Sequence, residues 1–219
     1  MKLFTELRTY LDTNFNGIKL LQPLFFNDIP GLRFDLQDTT FETGNRNYFI
    51  EVVKRMDRIH YATISDSDVI MLLYQKYAFK RRKIRLGNYL FKQINHSTAN
   101  IEFRRNNQSI TGKYGDDLSP SDGSCQVIIK DKACNINFHN LYVAVSHMDF
   151  GVEPYLTNTD GELFIVNLTR NTITLMYDDR GCDIISLDAS LLKSYYNALS
   201  NLILEPNRPQ IIEQLQIEH

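Results

Sequence analysis

The chain has 219 residues, with 24 Lys and Arg against 26 Asp and Glu, a formal net charge of −2. At 43 % hydrophobic and 23 % charged residues, its composition is that of an ordinary globular protein. This excludes collagen-like, mucin-like and globally disordered chains, and it removes the basic excess expected of a domain built to neutralise phosphates.

In chain order, Leu3, Leu7 and Leu11 share one helical face flanked by Phe4 and Tyr10, so the N-terminus reads as an amphipathic helix. Gly17 is its expected stop, because Gly enters the left-handed region cheaply. Residues 32–36 alternate apolar and charged side chains, the period of a half-buried strand. Phe49, Val52, Val53, Met56 and Ile59 predict a helix over roughly 45–62. The apolar run from Val69 to Tyr74 predicts a second strand. Strand, helix and strand in that order imply a right-handed parallel crossover.

A basic run, Lys80 to Arg85, reads as a solvated turn, since no aromatic ladder accompanies it. Residues 106–124 are rich in Asn, Gly, Ser and Asp and read as a long mobile loop. Strands are expected over 126–130, 162–168, 172–177 and 182–187. The last three, joined by short turns, form an antiparallel meander. Between the first and second of these strands, Phe138, Leu141, Tyr142, Val145 and Met148 mark a helix capped by Asn137. Leu187, Leu191, Tyr195, Leu199 and Leu202 mark the last helix, followed by a tail over 206–219. The fold class is therefore a single α+β domain, with helices packed on a mixed, largely antiparallel sheet.

No apolar leader follows Met1, and no apolar run is long enough to span a bilayer, so a cytoplasmic protein is expected. Three cysteines without a CxxC pair support neither a disulfide framework nor a zinc site. HExxH, a phosphate-binding loop and the G-x-S-x-G elbow are all missing. Neither a catalytic residue, a metal ligand set nor a cofactor is assigned.

The most distinctive string is Tyr177-Asp178-Asp179-Arg180-Gly181-Cys182-Asp183. As a turn, it places Asp early and Gly late, and Gly181 is expected at positive φ. Arg33 or Arg180 should pair with a carboxylate of the string, with Arg33 and Asp35 brought to the same end of the sheet. As a site, Asp178, Asp179 and Asp183 could hold a cation, with Asp35 nearby and Arg33 or Arg180 steadying a phosphate.

Residues 30–36 (Pro-Gly-Leu-Arg-Phe-Asp-Leu) and 176–185 (Met-Tyr-Asp-Asp-Arg-Gly-Cys-Asp-Ile-Ile) resemble a bacterial family known as domain of unknown function 3885. The order of elements also fits, down to Tyr195-Tyr196 and Glu205-Pro206-Asn207-Arg208. The resemblance implies a small bacterial cytosolic protein of the kind found as immunity partners beside polymorphic toxins. On that reading the chain binds a cognate toxin domain, a nuclease by expectation, and blocks it by occlusion. The candidate partner-binding residues are Asp116, Asp117 and Asp122 in the loop, with Asp178, Asp179 and Arg180 at the turn. Membranes, nucleic acid and small-molecule substrates are not expected partners. The alternative is a metal-dependent phosphodiester hydrolase built on Asp178, Asp179 and Asp183.

Overall fold

A computed structural model of the chain describes residues 2–78, 84–106, 123–156 and 161–217. Leu3, Phe4, Leu7 and Leu11 form the buried face of helix α1 (Leu3–Asn14). The chain then turns through Asn16 and Gly17, at φ 53° and 71°. Strand β1 (Gly31–Asp35) precedes α2 (Arg46–Thr63), whose cap is Asn45, with its side chain accepting from the Tyr48 N–H. Next come β2 (Val69–Ala78), β3 (Asn100–Asn106), β4 (Gly123–Lys132) and α3 (Phe138–Ser146). Asn137 caps α3 as the sequence predicts, accepting from the Asn140 N–H.

The meander forms as expected. It comprises β5 (Gly161–Asn167), β6 (Thr172–Met176) and β7 (Gly181–Ile185). Helices α4 (Ala189–Leu199) and α5 (Arg208–Leu215) close the chain. The stripe of α4 is rotated from the one expected. Leu192, Tyr195, Tyr196 and Leu199 are buried, whereas Leu187 precedes the helix and is 44 % exposed. The cause is the cap: Asp188 accepts from the Leu191 N–H and sets where the helix begins. The expected tail is also structured, because Pro209 falls in the first turn of α5, where its missing N–H costs nothing. Ile211 and Leu215 bury its inner face.

The seven strands form one sheet in the order β1-β7-β6-β5-β2-β4-β3, and every neighbouring pair is antiparallel. The parallel crossover expected around α2 is therefore not a paired unit. Strands β1 and β2 run in the same direction, but the meander stands between them. Short local hairpins supply antiparallel partners that fill that gap.

Both faces of the sheet are covered. Ile70, Leu72 and Tyr74 of β2 join a core with α2, α3, α4 and α5. Met71 and Leu73 join a second core with α1. Burial on both sides explains why β2 reads as a continuous apolar run rather than an alternating one. At the β1 edge, Phe34 bridges to Ile203 and the Leu204 N–H donates to the Arg33 carbonyl at 2.9 Å. The opposite edge is β3. Among the described residues, no helix is long and apolar enough to cross a membrane.

Candidate functional site

The string 177–183 runs from the end of β6 into β7, and its three carboxylates separate. Asp178 turns back on its own turn. It accepts from the Arg180 N–H at 2.7 Å and from Arg180 Nε at 2.8 Å, with Nη2 also in contact. Asp179 points to α2, where the Tyr48 hydroxyl donates to it and accepts from Gln37 Nε2 at 2.8 Å. Burial pushes the Asp179 carboxyl up from its ordinary value; the Tyr48 hydroxyl opposes that and the charge of Asp178 adds to it. Tyr48 itself is pushed up to about 12, by burial and then by the Asp179 carboxylate.

Asp183 lies across β1 from Arg33, in register with it. Arg33 Nε donates to Oδ1 at 2.8 Å and Nη2 to Oδ2 at 3.3 Å, while the Phe25 N–H donates at 3.2 Å. The guanidinium lies over the rings of Phe25, Phe26 and Tyr177, 4.7 to 5.5 Å from their centroids. Asp183 is fully buried. Desolvation raises its pKa, and Arg33 followed by the Phe25 and Leu24 amides opposes the rise. The expected pairing of both arginines, and the approach of Arg33 to this end of the sheet, are therefore found. Asp35 sits opposite Gly181 in the register and accepts from the Gln37 N–H at 3.0 Å.

Gly181 does not take positive φ; among the described residues the glycines that do are Gly17, Gly44 and Gly151. It begins β7 in strand geometry, and the requirement for Gly is steric. A Cβ there would lie 2.7 Å from the Phe34 carbonyl oxygen and would strike the Tyr177 ring. That ring folds back over the turn, and the Tyr177 N–H to Gly181 carbonyl bond at 3.1 Å closes it.

The cation constellation also differs from the one expected. Asp149, just after α3, joins Asp178 and Asp179, each offering one carboxylate oxygen within 4.8 Å of the others. Asp183 and Asp35 are not part of it: Asp183 is held by Arg33 and Asp35 accepts from the Gln37 N–H. Asp116, Asp117 and Asp122 lie outside the described residues, as do Lys80 to Lys83 of the basic run and 107–122 of the expected loop.

Beside this acidic turn lies an apolar groove of about 690 Å³ between α2 and α3. Phe49, Ile50, Val53, Val143 and Val152 line it, with Arg46, Lys54 and Arg58 among its polar neighbours. His139 Nδ1 of α3 lies 2.8 Å from Asp57 Oδ2 of α2, linking the two walls. Ile50 is 55 % exposed and Tyr61 79 %. The Phe49 ring connects the two features: its centroid is 5.0 Å from Phe150 and 4.5 Å from His147, and its chain neighbour Tyr48 holds Asp179. Sequence reasoning placed Phe49 and Val53 in the core and did not find the groove. The available signal was Ile50 and Tyr61, two large apolar side chains off the buried stripe of α2.

Comparison with known proteins agrees with the resemblance carried by 30–36 and 176–185. A relative from Bacillus subtilis (strain 168), named "Uncharacterized protein YnaE", is 22 % identical over 213 residues, covering 90 % of this chain and 96 % of its own. No solved structure matches significantly. Residues 7–207 match the model of the family described as "Domain of unknown function (DUF3885)", which spans the sheet, the acidic turn and the groove together. The chain belongs to that family.

Proposed function

We propose that the protein is a cytoplasmic protein-binding module, an immunity protein that neutralises a cognate bacterial toxin domain by covering its working surface. The observation that carries this reading is the exposed apolar groove adjoining the Asp149, Asp178 and Asp179 turn. Concave apolar surface suits a protein partner, because covering it supplies affinity. The charged groups nearby act structurally. Arg180 neutralises Asp178 and Tyr48 holds Asp179, which positions the turn without assembling a nucleophile and base.

The test is genetic. Deleting the gene in a toxin-carrying strain and exposing it to sibling cells should stop growth, and a copy carrying Ile50→Asp should fail to restore it. Unimpaired growth of the deletion strain refutes the reading.

A second reading, metal-dependent phosphodiester hydrolysis, draws on the meeting of Asp149, Asp178 and Asp179. Calorimetric titration with magnesium or manganese tests it. Absence of heat at millimolar metal removes it.

A further inference from the structure

The two edges of the sheet are treated differently. At β1, Ile203 and Leu204 cover the outer backbone. At β3, β4 pairs on the inner side, and among the described residues no strand pairs on the outer side. An edge of seven residues that no described strand pairs is a template for another strand. Phe103 on it is 47 % exposed, and Arg104 and Arg105 are exposed beside it.

We propose that β3 pairs antiparallel with β3 of a second copy of this chain, joining two sheets across a two-fold axis at Phe103. The sequence Asn100-Ile101-Glu102-Phe103-Arg104-Arg105-Asn106 is complementary to itself in that register. Glu102 falls opposite the second copy's Arg104, and the symmetry repeats the pair. Phe103 meets its own equivalent, and Ile101 lies opposite Arg105. Directly opposed residues on paired strands are the contacts that stabilise a sheet, and unlike charges and aromatic pairs are both favourable there. Two-fold pairing keeps each residue on its own face, so the axis can move only by whole residues. Moving it to residue 102 sets Glu102 against Glu102, and moving it to 104 sets Arg104 against Arg104. The Phe103-centred register is the one that opposes unlike charges.

The two charged side chains are already held in place. The Phe4 N–H donates to Glu102 Oε2 at 3.3 Å. Arg104 Nε and Nη2 donate to Gln126 at 3.1 and 2.8 Å, and its guanidinium lies 4.3 Å from the Phe4 ring centroid. Both therefore sit on the α1 face of the sheet. Holding them there lowers the entropy cost of pairing. This surface is separate from the α2–α3 groove, so the inference goes beyond the proposed immunity role and stands or falls independently of it.

Sedimentation over a concentration series tests it. A seven-residue edge pairing lies at the small end of stable interfaces, so a reversible, concentration-dependent monomer–dimer equilibrium is expected. Glu102→Arg alone and Arg104→Glu alone should each weaken association at least tenfold, because each places like charges in both symmetric contacts. Mixing these two variants should restore association as a heterodimer, since both contacts are again between unlike charges. Hydrogen exchange on the unaltered protein supplies a reading that needs no variant: the outward-facing amides within residues 100–106, which do not donate to β4, should slow as concentration rises, while those of 31–35 should not change. A protein monomeric at about 200 μM overturns the proposal, as does a mixture that associates no better than its components.

Discussion

Replacing Arg33 by Gln removes the charge that faces Asp183 and leaves its buried carboxylate without a counter-charge. Removing one partner of a buried ion pair costs about 3–5 kcal/mol, because the remaining charge has neither water nor a counter-charge. For a chain of this length each kcal/mol moves the melting temperature by roughly 2–4 °C, so a fall of about 6–20 °C is expected near neutral pH. The pH dependence carries a definite sign. Burial already raises Asp183 above its ordinary 3.8, and without the guanidinium the rise is greater. A carboxyl whose folded pKa exceeds its unfolded one favours the folded state at low pH and loses that contribution as pH rises through the folded value. The deficit of Arg33→Gln relative to the parent should therefore narrow from neutral to mildly acidic pH, by up to roughly 1.4 kcal/mol per unit. Urea denaturation at the two pH values measures it. The double replacement Arg33→Leu with Asp183→Leu should recover most of the loss, since apolar replacement of a buried pair is often neutral. A deficit of less than about 1 kcal/mol, or one unchanged on acidification, refutes the reasoning.

Gly181→Ala should cost about 1–3 kcal/mol, because the new methyl meets the Phe34 carbonyl and the Tyr177 ring; a thermal melt equal to the parent's shows that the turn has room. Tyr48→Phe should cost roughly 1.5–3 kcal/mol by withdrawing the hydroxyl from Asp179, measured by chemical denaturation at neutral pH. Ile50→Asp should leave stability within about 0.5 kcal/mol, since the side chain is exposed, while abolishing protection in the sibling-cell assay. Asp149→Asn should abolish any magnesium or manganese heat seen with the parent, whereas Asp183→Asn should not, because Asp183 lies outside the carboxylate group.

Much of the local structure was legible in the sequence. The Leu3, Leu7 and Leu11 spacing marked α1, Asn137 marked the start of α3, and the hairpin chemistry around 169–171 and 178–181 marked the meander. These features depend on periodicity and turn preference within a few residues, which any chain carries wherever it folds. The approach of Arg33 to Asp183 was also within reach, because a strand with a charged face and a carboxylate string at a turn need one another energetically. Tertiary structure decided the rest. Only strand order could place the meander between β1 and β2, and only the folded-back Tyr177 ring could make Gly181 a steric rather than a conformational requirement. Asp149 reaches Asp178 and Asp179 across a separation that no local pattern encodes. Phe49 and Val53 are buried core residues as their periodicity predicts, but the groove they also border depends on how α2 and α3 stand apart. Local sequence determines which face of an element is apolar; the packing of distant elements determines whether that face is covered.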